Sequence, residues 1–335
     1  MAREAVRSVI VQLRSGVRAY LILPELGRVV VSPRGHFSKG RLPMPLVTMG
    51  PMLKRAQKER YGIAAFNMID YNSVRSIVDG ATALNAPIIV QVSTKTIKHW
   101  GYKPIAGWVR QLAGDTAVPV ALHLDHCSDL NIIKGCIDAG WTSVMFDGSS
   151  LPFAENVKKS REAYDIATAA GVGLEAEIGA IGGVEDDKFV AEDKSILANF
   201  DECVAFCKEM PKLAVFAPAI GTAHGFYAGE PKIAYDLLDR ITSVIDIPIA
   251  LHGGTGLSEE QFHRCIGSGC AKVNISTMHK HRFIEGFLNV RQQKPKEAEP
   301  LPFIKGQYEA MLGDVRDMIR IFGSEGRAPH AAGAV

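Results

Sequence analysis

Several things are missing from this 335-residue sequence. No two cysteines stand at C-x-x-C spacing. The six present, Cys127, Cys136, Cys203, Cys207, Cys265 and Cys270, are too sparse for the disulfide framework of a small secreted domain. They read as reduced core thiols, which places the protein in the cytoplasm. No stretch reaches the about 18 uninterrupted apolar residues that a membrane-crossing helix needs, and the run at Tyr20 to Pro24 is far shorter, so no membrane association is expected. Neither sign of charge dominates: 38 Lys and Arg against 36 Asp and Glu leave +2, which gives no long-range attraction to nucleic acid. What remains, with 47% hydrophobic residues, is a chain able to bury a large core and act on a small molecule.

The charge is unevenly spread. Residues 1–43 carry eight Lys and Arg but only Glu4 and Glu25, so this segment is strongly positive while residues 44–335 are net negative. Arg-rich, acid-poor N-termini occur in organelle transit peptides, but this one lacks a sustained amphipathic helix and contains strand-like stretches at Ala19 to Leu23 and Arg28 to Ser32. The expectation is that Met44 begins the functional chain and that residues 1–43 are an appendage.

From Gly62 onward, short β-branched or apolar runs alternate with longer amphipathic stretches, the pattern of parallel βα units. The strand-like runs are Gly62 to Asn67, Pro87 to Ser93, Val118 to Asp125, Ser143 to Ser149, Gly173 to Gly179, Ala214 to Gly221, Pro248 to Gly254 and Ala271 to Thr277. Helix-like segments between them include Asn72 to Leu84, Asp129 to Ala139, Ala154 to Ala170 and Glu259 to Gly267, the last opened by Ser258 with Gln261 three residues on, a capping-box pattern. The competing doubly wound sheet would show G-x-G-x-x-G after its first strand, and that fingerprint is absent. Eight βα repeats predict an α/β fold of the (β/α)8, or TIM, barrel type.

Active sites of such barrels lie at the C-terminal strand ends. Here the runs end in or just before Asn67, Ser93, Asp125 and His126, Asp147, Glu177, His224, His252 and Gly253, and Asn274 to Thr277. Any single strand-end Asn or Ser is as readily a turn former or helix cap; it is the whole set that points to an enzyme. Three of the ten histidines, His126, His224 and His252, fall at the ends of strands three, six and seven, and three imidazoles with an open position describe a catalytic zinc site. His123 is read as packing or as support for those ligands, and the histidines at 36, 99, 263, 279, 281 and 330 as surface residues. Asp125 is placed for proton transfer or for orienting a ligand. Asp147 and Glu177 can form a second divalent or monovalent cation site. The long loop Ala180 to Phe200, with Gly182-Gly183 before Glu185-Asp186-Asp187, has the composition of a mobile lid carrying a carboxylate. His252-Gly-Gly-Thr-Gly256 and Asn274-Ile275-Ser276-Thr277 occupy the two loops where barrels commonly hold phosphate. A metal beside phosphate suggests Lewis-acid chemistry on a phosphorylated carbonyl compound.

Seven ordered strings, His123-Leu-Asp-His126, Val144-Met-Phe-Asp-Gly-Ser149, Leu174-Glu-Ala-Glu-Ile-Gly179, Gly182-Gly-Val-Glu-Asp186, Gly221-Thr-Ala-His-Gly225, Leu251-His-Gly-Gly254 and Val273-Asn-Ile-Ser-Thr277, together resemble the class II, zinc-dependent ketose-bisphosphate aldolases. The likeness runs from about Met44 to Phe322-Gly-Ser-Glu-Gly-Arg327. It implies that His126, His224 and His252 hold zinc, that Asp147 and Glu177 form the second metal site, and that Asp125 carries the catalytic proton. It implies that Gly225, Gly253, Gly254 and Thr255, with Asn274 to Thr277, hold the dihydroxyacetone-phosphate half. Glu185 matches a lid carboxylate that moves the carbon-bound proton. The implied reaction is reversible cleavage of fructose 1,6-bisphosphate to glycerone phosphate and glyceraldehyde 3-phosphate through a zinc-stabilised enediolate, in a homodimer or homotetramer of the glycolytic type. Lys272 is read as structural rather than as an imine-forming lysine.

Departures from the family pattern bear on the aldehyde half of the substrate. The second-strand loop Ser93-Thr-Lys-Thr-Ile-Lys98 is bulkier than the Gly/Ala-rich loop of many fructose-bisphosphate members, and Thr255 stands where Ser is common. Gly-Gly-Val-Glu-Asp-Asp also occurs in the tagatose-bisphosphate branch, so that substrate, or another ketose phosphate, is the alternative. Two readings of other classes are a zinc hydrolase on the same barrel and a non-catalytic sugar-phosphate-binding barrel. The first usually shows a His-x-His pair on strand one, absent from Ala64-Ala-Phe-Asn67; the second predicts lost chemical residues, and none of the matched ones is missing.

Overall fold

A strand that alternates sides can serve two cores at once, and here eight of them do. The structure, a computed structural model, describes residues 9–12, 18–21, 46–185, 188–190, 196–227 and 229–329. In a small unit spanning Met1–Arg41, β1 (Val9–Gln12) and β2 (Arg18–Leu21) pair antiparallel. The unit Leu42–Val335 begins with α1 (Met49–Glu59) and continues through β3 (Ile63–Asn67), α2 (Tyr71–Ala83), β4 (Ile88–Ser93), α3 (Thr94–Trp100), α4 (Tyr102–Gly114), β5 (Val120–Asp125), α5 (Leu130–Asp138), β6 (Ser143–Phe146), α6 (Phe153–Ala169) and β7 (Gly173–Ile178). Then follow β8 (Gly182–Glu185), β9 (Lys188–Val190), α7 (Phe200–Glu209), β10 (Val215–Pro218), β11 (Ala223–His224), α8 (Tyr235–Val244), β12 (Ile249–Leu251), α9 (Glu259–Gly267), β13 (Cys270–Ile275), α10 (Thr277–Gln293) and α11 (Pro300–Ile321). Strands β3, β4, β5, β6, β7, β10, β12 and β13 close in that order into a parallel barrel, the expected (β/α)8 architecture.

The outward faces, among them Phe66, Val90, Leu122, Val144, Leu174, Phe216 and Val273, pack against the surrounding helices. The inward faces change character along the barrel axis. At the bottom they are Ile63, Ala65, Ile89, Ala121, Val215, Ala217, Ala250 and Ala271, and the small alanines leave room for α1 to plug the opening with Met49, Met52, Leu53 and Ala56. Leu53 is fully buried in this plug, so truncating it to alanine costs about 2–5 kcal/mol. One turn of the pleat higher the interior becomes polar with Gln91, His123, Glu175 and Lys272. At the rim stand Asn67, Asp125, Asp147, Glu177, His252 and Asn274, all buried.

Seven of the eight strands fall within the expected runs, and β13 begins one residue early at Cys270; β3, β4 and β5 are shortened at their N-terminal ends, and the other five end early where the chain turns into the loops. The capping box of α9 forms as the sequence indicates, Ser258 Oγ accepting from Gln261 N–H and the Gln261 side chain from Ser258 N–H. Two expectations are corrected. His224 does not end the sixth barrel strand; it lies in β11, which joins β8 and β9 in a separate three-stranded sheet over the barrel mouth. His279 is not a surface residue: it is fully buried, its Nδ1 lying 3.1 Å from Asp314 Oδ2, because α11 covers the face of α10 that carries it. His36, His330, Asp186 and Asp187 lie outside the described residues.

Candidate active site

Three histidines converge at the barrel mouth from three different loops. His126 follows β5 directly, and its backbone is left-handed, with φ of +41°. A non-glycine residue rarely adopts this conformation away from functional turns. His252 follows β12, and His224 comes from β11. His126 Nε2 lies 2.9 Å from His252 Nδ1, and the His224 ring centre is 5.1 Å from that of His126. On its other side, His126 Nδ1 lies 3.3 Å from Asp147 Oδ2 and 3.8 Å from Glu177 Oε2. Two candidate metal groups therefore share one residue: His126, His224 and His252, and His126, Asp147 and Glu177, with ligand atoms in each within 4.8 Å of one another. The donor set fits a divalent ion of the zinc type, which takes imidazole and carboxylate ligands.

Beneath this cluster is a continuous buried network. His252 Nε2 lies 2.7 Å from Glu175 Oε1, and a carboxylate can only accept, so this nitrogen carries the proton and Nδ1 presents a lone pair to the cluster. Glu175 Oε2 pairs ionically with Lys272 Nζ at 2.9 Å and faces His123 Nε2 at 3.1 Å. Lys272 also donates to Asn274 Oδ1 at 2.7 Å. Burial alone would push the Glu175 carboxyl up, but Lys272, His123 and His252 outweigh it and hold the group well below the usual carboxylate range. Burial pushes both His123 and His252 below the ordinary imidazole value, Lys272 adding to the effect at His123.

Asp125, inward-facing at the end of β5, is gripped from two sides. Asn67 Nδ2 donates to one oxygen at 2.8 Å and Asn274 Nδ2 approaches the other at 3.4 Å. Gln91 Nε2 donates to Asn67 Oδ1 at 2.6 Å, so the Asn67 amide, like that of Asn274, has its oxygen claimed by a donor and its nitrogen turned toward Asp125.

The loops are tied together by backbone. Gly183 of β8 pairs with His224 of β11; its φ is +103°, and a Cβ there would collide with the His224 backbone. Gly253, with φ of +66°, lies so close that a Cβ would sit 2.5 Å from the Ala223 carbonyl oxygen. Tyr227 bridges the same two loops, its hydroxyl donating to Gly253 O at 2.7 Å and accepting from Ala223 N–H at 2.9 Å; burial raises its pKa to about 12. Thr255 Oγ1 accepts from Met278 N–H at 3.4 Å, joining the loop after β12 to the start of α10. Ser276 precedes α10 without capping it by side chain, and its buried Oγ has no protein partner.

Comparison with known proteins identifies a family. The family described as "Fructose-bisphosphate aldolase class-II" matches residues 47–327. A sulfofructosephosphate aldolase from Alkalicoccus urumqiensis is 37% identical over 285 residues, covering 85% of this chain and 99% of that protein. The chain belongs to the class II fructose-bisphosphate aldolase family. A fructose-bisphosphate aldolase from Geobacillus stearothermophilus is 36% identical to this aldolase over 288 residues, 85% of this chain and 99% of the relative. Among solved structures, the YdjI aldolase from Escherichia coli K12 superposes with a TM-score of 0.75 at 25% identity, covering 85% of this chain and all of that one.

The aldolase brings together nearly all the residues singled out in its sequence. Asn67, Asp125, Asp147, Glu177, His126, His252 and Asn274 share the barrel mouth, and β11 carries His224 to it. Glu185 ends β8, in the sheet that holds His224. Ser93 stands beside Asp125 in register, but its hydroxyl accepts from Thr96 N–H and caps α3. Gly225 follows His224 with φ of +90°. Gln91, Glu175 and Tyr227 join the site without standing out as site residues in the sequence, and Lys272, which reads there as structural, joins them. For Glu175 the signal existed: it lies two residues before Glu177 in a strand, and hence on the same inward face. The Asn67 oxygen that Gln91 holds is 24 residues away in sequence and the Gly253 carbonyl that Tyr227 reaches is 26 away, with no motif linking them.

Proposed function

We propose that this aldolase cleaves the C3–C4 bond of a ketose 1,6-bisphosphate, fructose 1,6-bisphosphate in the first instance, to glycerone phosphate and glyceraldehyde 3-phosphate. The observation that carries the reading is the meeting of three imidazoles and a doubly held carboxylate, Asp125, at one barrel mouth. His126, His224 and His252 would hold a catalytic divalent ion, zinc by preference, and Asp147 and Glu177 with His126 a second cation. An ion bound there supplies positive charge that polarises the ketose carbonyl. Asp125 accepts the C4 hydroxyl proton as the carbon-carbon bond breaks, and Glu185 returns a proton to carbon. Asn67 and Ser93 frame the aldehyde half.

The phosphate of the glycerone half sits among Gly225, Gly253, Gly254, Thr255, Asn274, Ile275, Ser276 and Thr277. Its support is the start of α10, where backbone N–H groups and the unpartnered Ser276 hydroxyl converge, a favourable place for an anion. Tagatose 1,6-bisphosphate is the stereochemical alternative. The 37% identity to a sulfofructosephosphate aldolase adds a sulfofructose phosphate as a second reading. Rates of triose-phosphate release from the three substrates under one condition rank them; no release from any would defeat the ketose-phosphate reading.

Residues 1–43 are proposed to be dispensable for catalysis, with Met44 beginning the functional chain. Six buried free cysteines suit a cytoplasmic enzyme of carbohydrate metabolism. A homodimer or homotetramer is supported by the exposed apolar side chains Ile284, Phe287 and Leu288 on α10 and Leu301 and Ile304 on α11, and light scattering of the purified protein tests it.

A further inference from the structure

We propose that the buried Glu175–Lys272 pair is a positioning device that sets two orientations at once: the tautomer of the metal ligand His252 and the amide direction of Asn274 beside Asp125. The inference rests on the metal site and the role of Asp125 proposed above. Glu175 can only accept, so it compels His252 to carry its proton on Nε2, 2.7 Å away, and to turn a bare Nδ1 toward His126 and Glu177. Lys272 can only donate, so it compels Asn274 to present its oxygen at 2.7 Å, leaving the Asn274 N–H to face Asp125. All four side chains are buried, so no solvent competes for these roles, and a wrong orientation would leave unmatched polar groups in the barrel interior. Glu175 and Lys272 meet at 2.9 Å, which makes the pair a link between the metal cluster and the proton carrier. Neither is a catalytic residue; they act through His252 and Asn274.

The two arms can be separated by substitution. In E175Q, Lys272 claims the new amide oxygen and turns the amide N–H₂ toward His252. The His252 proton then moves to Nδ1, the nitrogen that must bind metal. In E175Q/K272M only His123 still faces that side; with its Nδ1–H on Ser143 its Nε2 can accept from the amide N–H₂, so the amide oxygen turns to accept from His252 again, while Asn274 loses the donor that orients it. The double variant also removes the charged pair as a unit, which spares the fold an unpaired buried charge.

The experiment measures zinc affinity of the full-length wild type and both variants by competition with a chromogenic chelator, and kcat for ketose-bisphosphate cleavage at saturating zinc. Expected are a zinc affinity about 10–100-fold weaker for E175Q, recovery to within a few-fold of wild type in the double variant, and a kcat about 100-fold lower in the double variant with KM little changed. A merely structural pair would recover affinity and kcat together on the second substitution, once the unpaired charge is gone; the split between the two marks a positioning role. Wild-type zinc affinity in E175Q, or wild-type kcat in E175Q/K272M, overturns the proposal and leaves the metal site standing. If E175Q does not fold, the kcat of the double variant decides alone. A wild-type protein that binds no divalent ion overturns both this inference and the proposed function.

Discussion

His252 Nδ1 lies 2.9 Å from His126 Nε2 while the opposite nitrogen of the same His252 ring rests 2.7 Å from Glu175. Two imidazole nitrogens this close, one of them held as a lone pair, form a site that a cation stabilises. Replacing His224 by alanine removes one donor of the same group without touching the barrel strands. Zinc affinity in H224A, measured by chelator competition, should fall by more than the about 10–100-fold typical of losing only a ligand's hydrogen-bond partner, with the melting profile of the metal-free protein unchanged. Undiminished affinity would remove His224 from the ligand set.

Asp125 is the group assigned to move the hydroxyl proton. D125N keeps the shape of the side chain but removes its capacity as a base, and kcat should drop by about 10²–10⁴-fold while zinc affinity stays within a few-fold of wild type. A variant with kcat near wild type would transfer the proton-carrying role elsewhere.

Gly183 faces His224 across the β8–β11 pair in a backbone conformation reserved for glycine. Alanine there must push β11 away, so G183A should weaken zinc binding although residue 183 has no ligand atom. Equal affinity in G183A and wild type would show that the loop absorbs the side chain without moving the histidine.

Acid should destabilise the metal-free protein in two stages. Buried His123 and His252 have folded pKa values below the about 6.5 of an unfolded imidazole, so the unfolded chain takes up protons first; their contribution is complete above that pH and is lost as pH falls from there toward the folded values. Glu175 is held well below the ordinary carboxyl value of 4.5, so its contribution is complete above that value and is lost as pH falls through the folded value. The urea midpoint of chelator-treated protein should be level near pH 7 to 8 and decline below about pH 6.5. A midpoint that rises on acidification would contradict the sign.

Much of this site can be read in the sequence because a barrel turns strand ends into neighbours. Asn67, Asp125, Asp147, Glu177 and Asn274 follow from alternation and from the position of each run's end. His224 is legible as a residue but not in its setting, since a two-residue strand over the mouth has no periodicity to detect. The same holds for α1, whose plugging role depends on alanines spread over five different strands. His279 reads as a surface residue because its burial comes from α11, whose Asp314, 35 residues away, packs against it. Lys272 reaches Asn274 within its own strand, but nothing in either strand announces its pairing with Glu175; only closing the barrel brings β7 and β13 face to face across its interior.

Deleting residues 1–43 should leave cleavage and zinc affinity intact, since every residue assigned to the site lies between Asn67 and Thr277. A truncated protein that is inactive or fails to fold would show that the N-terminal segment completes the enzyme.

The most direct test of the central claim is triose-phosphate release from fructose 1,6-bisphosphate by protein stripped with EDTA and then restored with zinc. The account predicts that cleavage disappears on chelation and returns with the metal. Cleavage that persists in fully stripped protein would contradict a metal-dependent site built on His126, His224 and His252.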